Sequence, residues 1–232
     1  MKRFGFAAVA MAIFAFAAPV AAQEIVVTGA RLARFEGLQT PHVSMTRRAD
    51  YAIFSLVVRS DTRDEAARRQ ELRDALRGLQ SRAREGAVTL ALVDESVGIV
   101  REFTLAGAEE LIRPDRRADT SMLTIRLRTP VGERDNLDAI AARIDAFIRQ
   151  APKPGRVEME KGAMELTLVN PQQYRDPLLR QITEDGRRVA AMLGEGYGVE
   201  LSGLERQIAW QRSGELELTL FLPYALSAAP QP

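Results

Sequence analysis

Few residues in this 232-residue chain could do chemistry, and their types limit what that chemistry could be. His42 is the single histidine, and there is no cysteine. One imidazole cannot supply a His-rich metal centre, and a Ser-His-Asp triad would have to be assembled around this residue beside Pro41. Thiolate catalysis and thiolate metal sites are excluded. The chain carries no G-x-S-x-G elbow, no phosphate-binding P-loop and no dinucleotide glycine pattern. Gly194, Gly196 and Gly198 are spaced by two, but they follow a helical stretch instead of leading a strand into one. That order fits a helix C-cap and loop, not a phosphate cradle.

Carboxylates supply the remaining enzyme argument. Glu158 with Glu160, and Glu215 with Glu217, alternate along strand-like segments, so each pair lies on one face. Paired acids can run glycoside hydrolysis or hold calcium. The same alternation is how the solvent face of a half-buried sheet reads, and that is the reading adopted. No catalytic, cofactor-binding or metal-ligating residue is assigned.

The arginines carry a second signal. Lysine occurs only at Lys2, Lys153 and Lys161, so nearly all positive charge is arginine, with doublets at 47–48, 68–69, 116–117 and 187–188. Arginine forms two-pronged pairs with carboxylates and is enriched at interfaces. The doublets therefore fit subunit or anionic-lipid contact, and they fit solvated helix faces as well. Trp210, the sole tryptophan, follows Ile208 in a strand-like run and is expected in the core.

The elements that would position these residues centre on residues 51–85. Ile53, Phe54, Leu56, Val57 and Val58 form a short apolar run of strand character. Thr62 with Glu65 makes a capping-box pattern. Leu72, Ala75, Leu76, Leu79 and Ala83 then recur at helical spacing up to Gly86. Asp64 to Arg68 and Glu65 to Arg69 are acid-before-base pairs four apart. Strands are expected at 87–93 and 97–104 around a turn at Asp94-Glu95-Ser96, with 107–119 as the main irregular connection.

The unit returns with a strand at 123–128 broken at Thr129-Pro130 and a helix capped by Asp135. Its apolar face is Leu137, Ile140, Ala141, Ile144, Phe147 and Ile148, and a pair of strands flanks Gly162. A third helix opens at Asn170-Pro171 and becomes regular at Pro177. Leu178, Ile182, Val189, Met192 and Leu193 form its apolar face. Strands at 204–210 and 216–222 turn at Ser213-Gly214.

At the start, Lys2 and Arg3 precede the uncharged apolar stretch 4–18, and Val20-Ala21-Ala22 offers small residues for cleavage. Residues 1–22 therefore read as a cleavable export signal, and the expected location is the periplasm. Without cysteine, a lipid anchor on an N-terminal Cys is excluded. No second run is long and apolar enough to span a bilayer. Removing Lys2 and Arg3 takes Lys+Arg from 32 to 30 against 31 Asp+Glu, which turns the formal charge from +1 to −1. That balance gives no reason to expect a nucleic-acid partner. Stability must come from the core, since disulfides are unavailable to the chain.

Two resemblances follow from these residues. Glu24 to Gly29 (EIVVTG), with Arg31 beyond, resembles the N-terminal segment of TonB-dependent outer-membrane receptors. From about His42 to Leu226 the chain resembles the SIMPL-domain proteins of bacterial envelopes. The second likeness rests on Arg48-Ala49-Asp50-Tyr51-Ala52 leading into an apolar strand, and on 62–67 opening a long helix. It rests further on the strand 123–128 with its helix 137–147, and on Leu168, Asn170 and Pro171 before a helix carrying Arg187, Arg188, Ala190, Ala191, Leu193 and Gly194. The closing strand 216–224 fits too. The resemblance implies a periplasmic α+β protein of undefined biochemical activity, in a family with some ring-like oligomers and some links to envelope or oxidative stress.

The sequence thus leads to an α+β fold. An antiparallel sheet with helices on one side is expected in two βαββ-like halves, followed by a C-terminal helix and hairpin. The parts are a signal at 1–22, a strand and linker at 23–41, the folded domain at 42–226 and a loose tail at 227–232. The expected function is self-association, as a homo-oligomer, or binding of an envelope protein partner, without a cofactor. A carboxylate-dependent hydrolase or metal enzyme, and an accessory to a TonB-dependent receptor, are the alternatives.

Overall fold

The computed structural model describes residues 41–94 and 99–230. Residues 1–22, expected to be an export signal, the segment 23–40, residues 95–98, on which part of the expected turn falls, and the last two residues lie outside the described residues. Strands β1 (Met45–Arg48) and β2 (Tyr51–Ser60) lead into helix α1 (Glu65–Glu85), then β3 (Thr89–Asp94) and β4 (Ile99–Glu102). Helix α2 (Leu105–Glu110), β5 (Arg113–Pro114), β6 (Ser121–Pro130), α3 (Leu137–Arg149) and β7 (Val157–Thr167) follow. The chain closes with α4 (Arg175–Leu193), β8 (Tyr197–Ser202), β9 (Ala209–Arg212), β10 (Glu217–Phe221) and β11 (Ala225–Pro230). The fold is α+β, and every strand pairing is antiparallel.

β2 is the spine. It pairs with β6 along its whole length, from Tyr51 opposite Pro130 to Ser60 opposite Ser121, and with β7 on its other side. β3 extends the sheet beyond β6, β4 extends it beyond β3, and the short β5 also pairs with β6. Because side chains alternate across a strand, one face of β2 carries Ala52, Phe54, Leu56 and Val58, all buried. Opposite them on β6 stand Leu127, Ile125 and Leu123, likewise buried. Leu72, Ala75, Leu76 and Leu79 of α1 and Ile140, Ile144, Phe147 and Ile148 of α3 complete this layer.

The same core continues into the C-terminal part. A three-stranded sheet in the order β1-β10-β9 contributes Met45, Leu218, Leu220 and Trp210, and α4 contributes Leu178 and Ile182. β8 and β11 form a separate two-stranded ribbon, and α4 lies against it at Gly186, next to Val199 and Leu201.

Local chemistry explains where the structure departs from the sequence reading. Asp64, not Thr62, caps α1, accepting from the Ala67 amide at 2.7 Å. Arg68 therefore does not pair with Asp64. It turns inward to donate to Ser121 Oγ and to the Thr62 and Arg63 carbonyls, while the Glu65–Arg69 pair forms at 3.6 Å. Asn136, not Asp135, caps α3 by accepting from Ala139. The supposed irregular stretch 107–119 contains most of α2, begun by Thr104 accepting from the Gly107 amide. The third helix becomes regular at Arg175 and takes Pro177 into its first turn, where a missing amide costs little.

The strand pair expected around Gly162 is one continuous strand, β7. Its register slips by one residue between the partners of Phe54 and Leu56. A side chain at Gly162 would overlap the Ser55 hydroxyl, so glycine fits the bulge and not a turn. β8 was not anticipated, and 227–230, expected to be loose, belong to β11. Met192 and Leu193, expected in the apolar face of α4, are 77% and 44% exposed, because the buried positions of the helix stop at Gly186.

The two faces of β2 give a direct test. Leu56→Ala, at a fully buried position, should cost about 2–5 kcal/mol in urea denaturation. Val57→Ala, half-buried on the other face, should cost well under half of that. Equal costs would contradict the assignment of faces.

Candidate functional site

The second face of the central sheet carries the strand glutamates. Arg59 lies opposite Glu158, Val57 opposite Glu160, and Ile53 opposite Glu165. Glu158 and Glu160 do share this face and are exposed. Glu160 accepts from Arg59 at 2.9 Å, and Arg126 reaches Glu165 at 3.3 Å. Arg128 stacks over the Tyr51 ring 4.4 Å from its centre and bonds to Thr89. Ile53, opposite Arg128 on β6 and Glu165 on β7, is buried. This face is therefore a mesh of diagonal cross-strand pairs. Arg59 Nε, Arg126 Nε and Glu165 Oε2 are buried atoms with no hydrogen-bond partner. Glu215 and Glu217 lie apart, exposed at the β9–β10 turn. Among the described residues, no group of three or more His, Cys, Asp or Glu side chains stands close enough to hold a metal ion.

The arginine doublets divide in the same way. Arg47 stacks over Tyr174, and Arg48 donates to the Gly132 and Asp135 carbonyls. Arg68 is buried, Arg69 faces Glu65, and Arg188 faces Asp185. Most of these cations hold the chain's own loops and helices. Arg116, Arg117 and Arg187 are exposed.

His42 lines an open groove of about 470 Å3 with Ser44, Gln181, Glu184, Asp185 and Arg188. Beside it, burial pushes the Tyr224 hydroxyl above its ordinary range, with Asp185 adding to the shift and a hydrogen bond to the Val43 backbone opposing it. Trp210 is in the core as expected, and its indole Nε1 has no hydrogen-bond partner.

Two polar clusters were missed by the sequence reading: the first joins residues up to 85 apart in the chain, and the second closes locally around the β6–α3 loop. Glu71 on α1 accepts from Ser60 Oγ at 2.6 Å, from Thr62 Oγ1 at 2.8 Å and from the Arg156 amide at 3.2 Å. Burial pushes its carboxyl up, but the two hydroxyls, the Arg156 amide and the Arg156 charge outweigh burial and hold it below the ordinary range. Gly155, at φ +57, presses against this carboxylate, and a side chain there would overlap it. In the second cluster, Asp135 accepts from the Gly132 amide and, on both carboxylate oxygens, from Arg143 Nη2, and both interactions lower its pKa against the effect of burial. Both clusters pin helices to strand ends. Neither lines a cavity among those described.

The exposed large apolar side chains among the described residues are Met192, Leu193 and Tyr197. They gather where α4 ends and β8 begins, around Gly194 and Gly196, with Glu195 as the charge between them. Nothing lies within 4 Å of a side-chain position at either glycine, so the segment projects into open space. At the other end of the β8–β11 ribbon, Pro41, Phe221, Pro223, Tyr224 and Ala225 line a cavity of about 230 Å3 together with Ser202 and Arg206, which donates to the Pro223 carbonyl at 3.3 Å. Compared with known protein families, curated proteins and solved structures, the chain matches none.

The Glu71 cluster predicts a pH dependence. A carboxyl whose pKa is lowered on folding stabilises the fold fully above the unfolded-state value, near 4.3, and loses that contribution as pH falls through the folded-state value. Glu71→Gln should lower stability at pH 7 by about 1–2 kcal/mol. The gap between wild type and variant should narrow below about pH 4.3 in denaturation curves. A gap that stays constant down to pH 3 would contradict the ionised role of Glu71.

Proposed function

We propose that this chain is an exported envelope protein that works by self-association or by binding a protein partner, without catalysis of its own. The observation that supports this reading best is the projecting apolar tip of Met192, Leu193 and Tyr197. A solvated monomer gains nothing by holding three large apolar side chains in water, and such a cluster is what interaction sites use. The polar groups support the same reading from the other side. The strand carboxylates Glu160 and Glu165 are engaged by arginines, and no hydrogen bond joins the lone His42 to Ser44, the hydroxyl that shares its open groove. Export rests on the signal-like residues 1–22. No described helix is long and apolar enough to cross a membrane, which agrees with contact at a surface of the folded part.

Light scattering coupled to size exclusion, on the chain beginning at Gln23, tests the reading. A discrete assembly larger than the monomer is expected at micromolar concentration, and Leu193→Asp should shift it toward monomer. A monomer at every concentration, with no partner retained from an envelope extract, would overturn it.

A further inference from the structure

Resting on the self-association reading, we propose that two copies of this chain join along β11 about a twofold axis. The apolar tip of each copy then covers the Phe221–Pro223–Tyr224 cavity of the other.

The first observation is a contrast among sheet edges. An open edge offers unpaired amides and carbonyls to any passing strand, and proteins blunt it with charge, bulges or short length. β7 carries Glu158, Glu160 and a bulge at Gly162. β4, β1 and β9 are four residues each and carry Arg101 and Glu102, Arg47 and Arg48, and Arg212. β8 carries Glu200. β11 is six residues long, ALSAAP, with no charge, and five of its residues are exposed. It pairs with β8 on one side only. A two-stranded ribbon is marginal alone, whereas β11 on β11 makes it four strands, β8-β11-β11-β8.

The second observation is the placement of tip and cavity. Tyr197 pairs with Pro230 at one end of the ribbon, and Ser202 pairs with Ala225 at the other. The tip belongs to the first end, and the cavity, lined by Ala225 and Tyr224, to the second. They are separated by the length of β11, about 17 Å at 3.4 Å per residue. Antiparallel pairing sets the Pro230 end of one strand against the Ala225 end of its mate. An apolar projection and a hollow walled mostly by proline, aromatic and alanine side chains, at opposite ends of one strand, are self-complementary under that symmetry, the condition an isologous interface must meet. Charge agrees with shape. Glu195 sits within the tip and Arg206 in the cavity lining, both exposed, so the axis brings opposite charges together at each end.

The test measures the dissociation constant by sedimentation equilibrium on the whole exported protein, with circular dichroism confirming that each variant folds. Ser227→Lys puts a charge on the open edge of β11 and should weaken association at least about tenfold, as buried like charges do. Glu195→Arg and Arg206→Glu should each weaken it, and the double reversal should recover most of the loss. Glu195 is exposed, and recovery by the double reversal separates the charge pair from the Arg206 bond to the Pro223 carbonyl, so these variants answer the question even if Ser227→Lys disturbs the ribbon. If the wild type associates and none of these variants changes the constant, the β11 interface is wrong while self-association stands. A wild type that never associates overturns both.

Discussion

One extra residue near Asp50 holds the two halves of this fold in phase. Along β1 and the approach to β2, the core takes Val43, Met45 and Ala49, the odd positions. Along β2 it takes Ala52, Phe54, Leu56 and Val58, the even ones. Side chains alternate with a period of two, so a strand that simply ran on would turn one of these sets to the wrong face. Asp50 absorbs the shift with hydrogen bonds from every side. Its amide donates to Thr167, its carbonyl accepts from Val131, and its carboxylate accepts from the Val169 amide at 2.7 Å. The preceding residue, Ala49, donates to Leu216. The junction therefore ties β7, the β6–α3 loop and the start of β10 to a single kink, and it lets α1, α3 and α4 share one core.

Away from that core, ionic chemistry is spent on architecture. Arg68, Arg143 and Arg48 bind loop carbonyls and hydroxyls, Arg73 ties α1 to Glu109 of α2, and Lys161 ties β7 to Asp145 of α3. Glu71 clamps the end of β2 to the turn before β7. A charged pair on a surface contributes little by itself, but here the pairs sit at strand and helix ends, where they fix loop geometry. Besides exposed charges such as Glu158, Arg116, Arg117 and Arg187, the surface of the described residues carries an apolar tip at the end of α4 and an uncharged edge along β11. It is on the tip and the β11 edge that the proposed interface rests.

Much of this was legible in the sequence. The α+β class, the β2–α1 unit and the apolar faces of α1 and α3 follow from periodicity, because period 2 and period 3.6 are local signals. The alternation of Glu158 with Glu160 was also readable, since a strand face needs only its own residues. What escaped depends on distant partners. Gly162 reads as a turn from sequence and is a bulge because Ser55 stands opposite. Met192 and Leu193 continue a helical apolar stripe, but the helix outruns what it packs on. β8 is masked by its own glycines, and ALSAAP has little strand propensity, so its place in a ribbon comes from β8 and not from itself. Glu71 gave no signal at all, since its donors lie 9, 11 and 85 residues away.

The most direct measurement of the central claim, that the free surface at the C-terminal ribbon is an interface, is amide hydrogen exchange across 225–230 at dilute and concentrated protein. Amides on the open side of β11 should exchange fast when dilute and become protected as the protein associates, while those facing β8 stay unchanged. Exchange of β11 that is independent of concentration, with association occurring elsewhere or not at all, would contradict the account.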